Sequence, residues 1–198
     1  SSKRKGAKII KRENGFILSF IFKNYFTFHL RPKHADDYYN LSTFAAETKN
    51  LAIIIQGNVG GNFKFLLETC KIYKKIFPNS LIIISTWDDE DKLNFNKISK
   101  LGVQIIFNKK PKDPGFGNIN LQLVSTKSGL NLAKLNNFKY CIKTRPDCRM
   151  NKNDIYPYLK ALIETFPIKK NVKANYRIIA SSVNTCKYKI YGTTDILL

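Results

Sequence analysis

Histidine is nearly absent from this 198-residue chain, which contains only His29 and His34. Both lie ahead of the region where strand and helix patterns become regular. The sequence therefore offers no serine–histidine or cysteine–histidine relay for nucleophilic catalysis. It also offers no histidine-bearing zinc site. Acid–base chemistry must come from carboxylates, and the chain has only 14 acidic residues.

Paired cysteines, long apolar runs and nucleotide-binding glycine motifs are missing as well. The four cysteines lie far apart with no CxxC pair, which excludes a zinc-finger pattern and a dense disulfide framework and favours a reducing cytoplasm. No apolar run approaches the roughly 18–20 residues that cross a bilayer. The loop Gln56–Gly61 lacks the spacing of a Rossmann or P-loop fingerprint, although its backbone amides can meet an anion.

Lysine is the residue in excess. Lysine and arginine total 34 against 14 acids, which gives a formal net charge of +20, yet only six of the 34 are arginine. Such a charge can attract nucleic acid, anionic lipid or phosphorylated substrates. It can equally reflect a general bias toward lysine, since asparagine, isoleucine and phenylalanine are also abundant. Charge alone leaves both interpretations open.

The first 50 residues differ from the rest. They begin with the basic segment SSKRKGAKIIKR and continue with a short apolar run, Phe16–Phe22, and further aromatic residues. This run either packs on the main domain or lies in the plane of a membrane, with Lys23 near anionic headgroups. We predict a basic and aromatic arm with a connector over residues 1–50. Deletion of residues 1–30 should weaken binding to anionic vesicles.

From Leu51 onward, strand and helix patterns alternate. Strands are predicted near 51–55, 81–84, 103–107, 138–144 and 177–183, with a further candidate at 188–191, and helices near 63–77, 91–101, 118–135 and 154–166. Gly129 weakens the third helix. The alternation predicts an α/β domain over residues 51–198, a three-layer α-β-α sandwich with a mainly parallel sheet. Asp195–Leu198 has the pattern of a strand start with no capping turn, which predicts a C-terminally incomplete domain.

Polar loops follow the predicted strands, and such loops meet at the edge of a parallel sheet where ligands bind. The loop after the second strand contains the only tryptophan, Trp87, and four acids in a row, Asp88–Asp91. Trp87 either packs in the core or stacks on a ligand. The acids either cap the next helix or form a local negative cluster.

The fourth strand ends in the segment RPDCR at 145–149, where one acid stands between two of the six arginines. Its proline stiffens the exit from the strand. An ionised Asp147 is suited to a hard divalent cation such as Mg²⁺ or Mn²⁺. Arg145, Arg149 and Lys143 are suited to phosphate. The alternative is an Arg–Asp–Arg ion network that ties the strand end down.

Four blocks follow one another in order over residues 51–198. They are IIIQGNV, LIIISTWDDED, NINLQLVSTKSGLNLAKLNNFKYCIKTRPDCRM, and NDIYPYLKALIETFP with a later Thr-Asp. Together they resemble the WavE-type lipopolysaccharide-synthesis family, whose members are taken to be glycosyltransferases of the GT-A-like, nucleotide-diphospho-sugar transferase fold. The resemblance implies transfer of a sugar from a nucleotide sugar to a growing lipopolysaccharide or capsule-type surface glycan.

The resemblance also implies roles for individual residues. The nucleotide-sugar contacts that it implies are Gln56, Gly57, Ser85, Thr86, Trp87, Asp88, Asn120, Gln122 and Lys143. Arg145, Asp147 and Arg149 would stabilise the departing phosphate, and Asp147 would be the ligand of any divalent cation, Mn²⁺ or Mg²⁺. The segment departs from a DxD motif in having one Asp and two Arg, so arginine charge can replace part of the cation's role. Asp195 matches a family Ser/Thr-Asp position and is the implied base for an inverting reaction.

The implied partners are a nucleotide-sugar donor, a glycolipid or oligosaccharide acceptor and an anionic membrane surface, with no nucleic acid. The implied location is the cytoplasm, peripheral to the inner face of the bacterial inner membrane. Two other functions compete: a basic nucleic-acid-binding protein, and a catalytically inactive membrane-associated scaffold. The chain lacks a helix-turn-helix, zinc-finger or RNP-like motif, which counts against nucleic-acid binding.

Overall fold

Four strands and four helices alternate along the part of the chain that the structure describes. The structure, a computed structural model, describes residue 34, residues 47–150, 154–168 and 173, and residues 176–180. In chain order the elements are β1 (Leu51–Gln56), α1 (Phe63–Ile76), β2 (Leu81–Trp87), α2 (Lys92–Ser99), β3 (Gln104–Asn108), α3 (Ile119–Leu135), β4 (Tyr140–Thr144) and α4 (Ile155–Thr165). Short 3₁₀ turns at Glu47–Asn50 and Phe116–Asn118 precede β1 and α3. The order predicted for residues 51–166 is confirmed.

The four strands form one parallel sheet in the order β3-β2-β1-β4. β1 lies in its interior, where Ile53 pairs with Ile82 of β2 on one side and with Ile142 of β4 on the other. Every residue of β1 is buried. A continuous apolar strand of this kind is typical of a parallel sheet that is covered on both faces. The predicted mainly parallel sheet is therefore confirmed.

Helices cover both faces of this sheet. On one face, α1, α2 and α4 contribute Leu66, Phe95 and Tyr156 to the larger buried cluster, together with every second residue of β1. On the other face, α3 contributes Ala133 to a smaller cluster that includes Ile54. Burial of such aliphatic and aromatic side chains is the main force that holds the layers together. The arrangement confirms the three-layer α-β-α sandwich.

Gly129 lets α3 approach the sheet closely. A Cβ atom at this position would lie 2.4 Å from Cγ2 of Ile54 in β1, which is closer than carbon atoms can pack. A glycine inside a helix costs about 1 kcal/mol relative to alanine. The same glycine that weakens the sequence-based prediction of α3 is therefore the residue that permits its packing on β1.

The strand predicted at 177–183 is wrong over its described part. Residues 177–179 have no regular secondary structure, and Ala180 forms a single bridge. Ile178 is 71 % exposed, so its side chain gains too little burial to help hold a strand in place. The candidates at 188–191 and 195–198, and most of the predicted arm over residues 1–50, lie outside the described residues. Of the helices that the structure describes, none has the length and hydrophobicity to cross a bilayer.

Candidate active site at the carboxyl edge of the sheet

The parallel sheet brings the predicted polar loops to one edge. Gln56 pairs with Ser85 at the ends of β1 and β2, and Trp87 pairs with Asn108 at the ends of β2 and β3. On the other side of β1, β4 ends level with it and leads into the segment at 145–149. The loop after β1 lies next to this segment: a Cβ atom on Gly57 would lie 3.8 Å from Cδ of Pro146.

A buried polar network forms the floor of this edge. The Ser125 hydroxyl of α3 donates to Oε1 of Gln56 at 2.6 Å, and the Ser85 hydroxyl donates to the Ser125 carbonyl at 2.7 Å. Asn108 Nδ2 donates to Ser85 Oγ at 2.9 Å and to the Thr86 carbonyl at 2.8 Å. All four side chains in the network are less than 10 % exposed. Because buried polar groups that satisfy one another are costly to separate, the network fixes three strand ends against α3.

Gln56 and Ser85, two predicted nucleotide contacts, therefore lie in the floor of the site. Their side chains are 3 % and 0 % exposed. Neighbouring Gly57 adopts a φ of +117°, which favours glycine, and its N–H donates to the Ser85 carbonyl at 3.0 Å. Sequence reasoning missed Asn108 as a member of this group; its one signal is a polar residue that ends an apolar strand.

The amides of the loop after β1 do meet an anion, and that anion belongs to the protein. Glu90, in the loop after β2, accepts from the Val59 amide at 2.6 Å and from the Gly60 amide at 3.4 Å. The Thr86 hydroxyl donates to the same oxygen at 3.4 Å. Glu90 thus joins the loops that follow β1 and β2. Sequence reasoning noted the run of acids around it but assigned Glu90 no role.

The other acids of this run serve different purposes. Asp91 is the N-cap of α2, since its Oδ1 accepts from the Leu93 amide at 3.0 Å. Lys110, from the loop after β3, donates to Asp89 and holds the pKa of that carboxyl below its ordinary value. The side chain of Asp88 is exposed at the strand end, as its predicted role in nucleotide binding requires. Capping and loop pairing thus account for two of the four acids.

Trp87 and Thr86 face the interior. Trp87 is 3 % exposed and Thr86 is 0 % exposed. A tryptophan buried to this extent packs against the protein, which favours the core interpretation of Trp87 over ligand stacking. Contact of either residue with a nucleotide stays a prediction.

Arg145 and Asp147 form a forked ion pair at the end of β4. Arg145 Nε donates to Oδ1 of Asp147 at 2.9 Å, and Nη2 donates to Oδ2 at 2.6 Å. The two side chains are 46 % and 47 % exposed. The Arg145 hydrogen bonds lower the pKa of Asp147, so this carboxylate is ionised at neutral pH. An exposed pair of this kind is worth about 1 kcal/mol or less, so an incoming phosphate can compete for the guanidinium.

Arg149 turns instead toward α1. Its Nε donates to Oγ1 of Thr69 at 2.9 Å, and its Nη2 donates to the Phe65 carbonyl at 3.0 Å. The guanidinium also lies 4.1 Å from the centroid of the Phe65 ring, in a cation–π contact. The next residue, Met150, donates its amide to the Tyr73 hydroxyl at 3.1 Å. These contacts tie the exit from β4 to α1.

The remaining predicted site residues are spread more widely. Asn120 Nδ2 donates to the Asp113 carbonyl and so belongs with the loop before α3. Gln122 is half-buried one turn before Ser125, and Lys143 is 5 % exposed in β4, in register with Ile54. Asp195 lies outside the described residues, and its role as a base stays a prediction.

The fit of a divalent cation can be judged from the oxygen donors at this edge. Within the described residues, no three Asp, Glu, His or Cys side chains are grouped so that they could hold a metal ion. Both carboxylate oxygens of Asp147 are already engaged by Arg145. This donor set suits a guanidinium rather than Mn²⁺ or Mg²⁺. A cation at Asp147 therefore stays a prediction, and no step below depends on one.

Comparison with known proteins places most of this chain in one family. The family profile of WavE lipopolysaccharide synthesis matches residues 51–192. The match includes all four strands, all four helices and every loop at the carboxyl edge, and it confirms the resemblance seen in the sequence blocks. No curated protein and no solved structure gives a match. The chain belongs to the WavE lipopolysaccharide synthesis family.

Proposed function

We propose that this protein is a glycosyltransferase with a GT-A-like domain. It transfers a sugar from a nucleotide-sugar donor to a hydroxyl of a growing lipopolysaccharide or capsule-type glycan. The observation that carries the proposal is the exposed Arg145–Asp147 fork at the carboxyl edge of a parallel sheet, beside the loop at Gly57. Membership of a lipopolysaccharide synthesis family supports the same reaction class.

Arg145 is the group that meets the leaving diphosphate in this proposal. Its guanidinium is a planar fork that matches phosphate as well as carboxylate. Asp147 keeps the fork oriented until the donor arrives. Arg145 can then leave Asp147 for the phosphate, because the exposed pair costs little to open. As the bond between the anomeric carbon and the phosphate oxygen breaks, negative charge grows on that oxygen. A fixed cation beside it stabilises the transition state more than the ground state.

The acceptor side of the reaction needs a base. The acceptor hydroxyl attacks the anomeric carbon and loses its proton, and Asp195 is the proposed acceptor of that proton in an inverting reaction. Transfer assays of Asp195→Asn test this role. Turnover close to that of the unmodified protein would remove Asp195 as the base and leave the rest of the proposal standing.

Donor binding can be tested before the acceptor is identified. Thermal unfolding would be followed with UDP-, GDP- and CMP-sugars, with and without EDTA. We expect one donor class to raise the melting temperature of the unmodified protein, in EDTA as well as in Mn²⁺ or Mg²⁺. Arg145→Ala should lose this shift, whereas Arg177→Ala, which removes another exposed arginine, should keep it.

The same measurements separate the competing functions. Steeply salt-dependent binding of oligonucleotides, without a shift by any nucleotide sugar, would contradict the proposal and favour a nucleic-acid-binding protein. Donor binding without transfer or donor hydrolysis would favour an inactive scaffold. A shift that disappears in EDTA would show that a cation is required and that Arg145 does not replace it.

A further inference from the structure

The outer face of α3 carries apolar side chains that are exposed in the part of the chain that the structure describes. Ile119, Leu123 and Leu130 are 54 %, 60 % and 42 % exposed, and Phe116, in the turn just before the helix, is 99 % exposed. Single exposed apolar residues are common on proteins, but several in one region indicate a binding surface. These four lie within 15 residues of one another.

Helical spacing places the apolar residues in one stripe with two lysines. The positions 119, 123, 127, 130 and 134 are separated by three or four residues, so they line one side of α3. Lys127 and Lys134 occupy the third and fifth positions and are exposed. The residues that pack α3 on the sheet, Ser125, Gly129 and Ala133, lie on a separate side of the helix. We call residues 116, 119, 123, 127, 130 and 134 the outer stripe.

The charged residues within α3 itself have a single sign. No Asp or Glu occurs between Asp113 and Asp147, whereas that interval contains Lys127, Lys134 and Lys139 among its basic residues. Aliphatic and aromatic side chains set among lysines match the two layers of an anionic membrane surface, headgroups above and acyl chains below. A twofold contact between two copies of the stripe would bring like charges together, which disfavours a dimer.

We propose that the outer stripe is an in-plane docking surface for an anionic lipid bilayer. The turn at Phe116 lies between β3 and α3, so this end of the outer stripe is at the same edge of the sheet as the candidate active site. Docking through the stripe holds that edge near the membrane. This inference goes beyond the proposed transfer reaction, and its test requires no activity.

The first experiment measures binding of the full chain to vesicles. Flotation would compare vesicles of phosphatidylcholine alone with vesicles that also contain phosphatidylglycerol. We expect Leu123→Ser/Leu130→Ser and Lys127→Glu/Lys134→Glu each to lower partitioning onto the anionic vesicles by about tenfold. These positions are exposed, so melting temperatures should stay close to that of the unmodified protein.

Helix α2 provides a matched control on the opposite face of the sheet. Leu93 is 78 % exposed, and Lys97 and Lys100 follow it at helical spacing, but the acidic run Asp88–Asp91 lies next to them. Leu93→Ser and Lys97→Glu/Lys100→Glu should leave vesicle binding within twofold of the unmodified protein. Equal losses from both helices would contradict the proposal, because they would indicate attraction by net charge alone.

A second experiment separates the stripe from the basic arm. Leu123→Trp and Leu93→Trp would be compared with brominated lipids, against the constant background of the buried Trp87. We expect quenching and a blue shift only for Leu123→Trp. Vesicle binding without quenching at position 123 would assign the membrane contact to residues outside the stripe and overturn the proposal. A dimer in solution that Leu123→Ser dissociates would overturn it in favour of a second copy.

Discussion

Arg145 and Arg149 are four residues apart, yet the structure gives them different environments. Arg145 is exposed and is paired with a carboxylate only two residues away. Arg149 reaches across to α1, where it binds a hydroxyl and a backbone carbonyl and stacks on an aromatic ring. The first arginine can exchange its partner for a ligand at little cost, and the second cannot. In the proposed function Arg145 therefore serves binding, whereas the contacts of Arg149 hold the loop in place.

The largest expected effect follows from loss of the exchangeable arginine. Arg145→Ala should lower the rate of transfer, or of donor hydrolysis, by about 100-fold, because a charge opposite the leaving phosphate is removed. Its free energy of unfolding should fall by less than about 1 kcal/mol, because the pair is exposed. Steady-state kinetics and urea unfolding of the same preparation check both parts. An inactive variant that is also strongly destabilised would remove the contrast with Arg149.

The next largest effect concerns the anchoring arginine. Arg149→Ala should lower the free energy of unfolding by about 2 kcal/mol, since Thr69 and the Phe65 carbonyl lose a charged donor and the ring loses its cation. The free energy of unfolding of Arg149→Lys should lie between those of the unmodified protein and Arg149→Ala, because an ammonium keeps the charge but lacks the planar fork. Urea unfolding measures the loss. A value as small as that of Arg145→Ala would contradict the anchoring role.

The buried polar network at the floor of the site gives a smaller effect. Ser125→Ala should cost about 1–2 kcal/mol of stability, because the buried Gln56 oxygen loses its donor. Ser128→Ala, in the same helix at a half-buried position, should change stability by less than about 0.5 kcal/mol. Thermal and urea unfolding compare the two. Equal effects would show that helix propensity, rather than the network, determines the result.

The smallest expected effect is a pH dependence of the Arg145–Asp147 pair. The folded-state pKa of Asp147 is lowered by Arg145, so the pair stabilises the protein above the ordinary Asp pKa of about 3.9. This contribution is lost as the pH falls through the lowered folded-state value. The difference in unfolding free energy between the unmodified protein and Asp147→Asn should thus be under about 1 kcal/mol at pH 7 and should shrink as the pH falls below the ordinary Asp pKa. A difference that grows on acidification would contradict the assignment.

The order of strands and helices along the chain and the layers were accessible from sequence because they depend on local patterns. The apolar runs at Leu51 and Leu81 are long enough for strands buried on both faces, and the helices between them show regular apolar spacing. The convergence of the loops then follows from parallel pairing alone. The strand prediction was wrong at 177–179 because apolar composition alone does not reveal whether a partner strand will bury a segment.

The contacts within the site were not accessible because their partners are distant in sequence. Glu90 meets Val59 across 31 residues, and Arg149 meets Thr69 across 80. The sequence around Asp147 favours an ion network, but it does not show whether Arg145 or Arg149 pairs with the carboxylate. The packing role of Gly129 was not accessible for the same reason, since the neighbour that requires a glycine there, Ile54, lies in another element.

The contact of Glu90 with the Val59 and Gly60 amides has a further consequence. A loop whose amides await an external phosphate is held in shape only once the ligand is bound. Here an internal carboxylate supplies the negative charge, so the loop beside Gly57 is already ordered before a donor arrives. In the proposed reaction, the donor would then lose less free energy to loop ordering on binding. In the proposed reaction, the negative charge of Glu90 would also repel the donor's diphosphate from this loop and favour its binding near Arg145, at the end of β4.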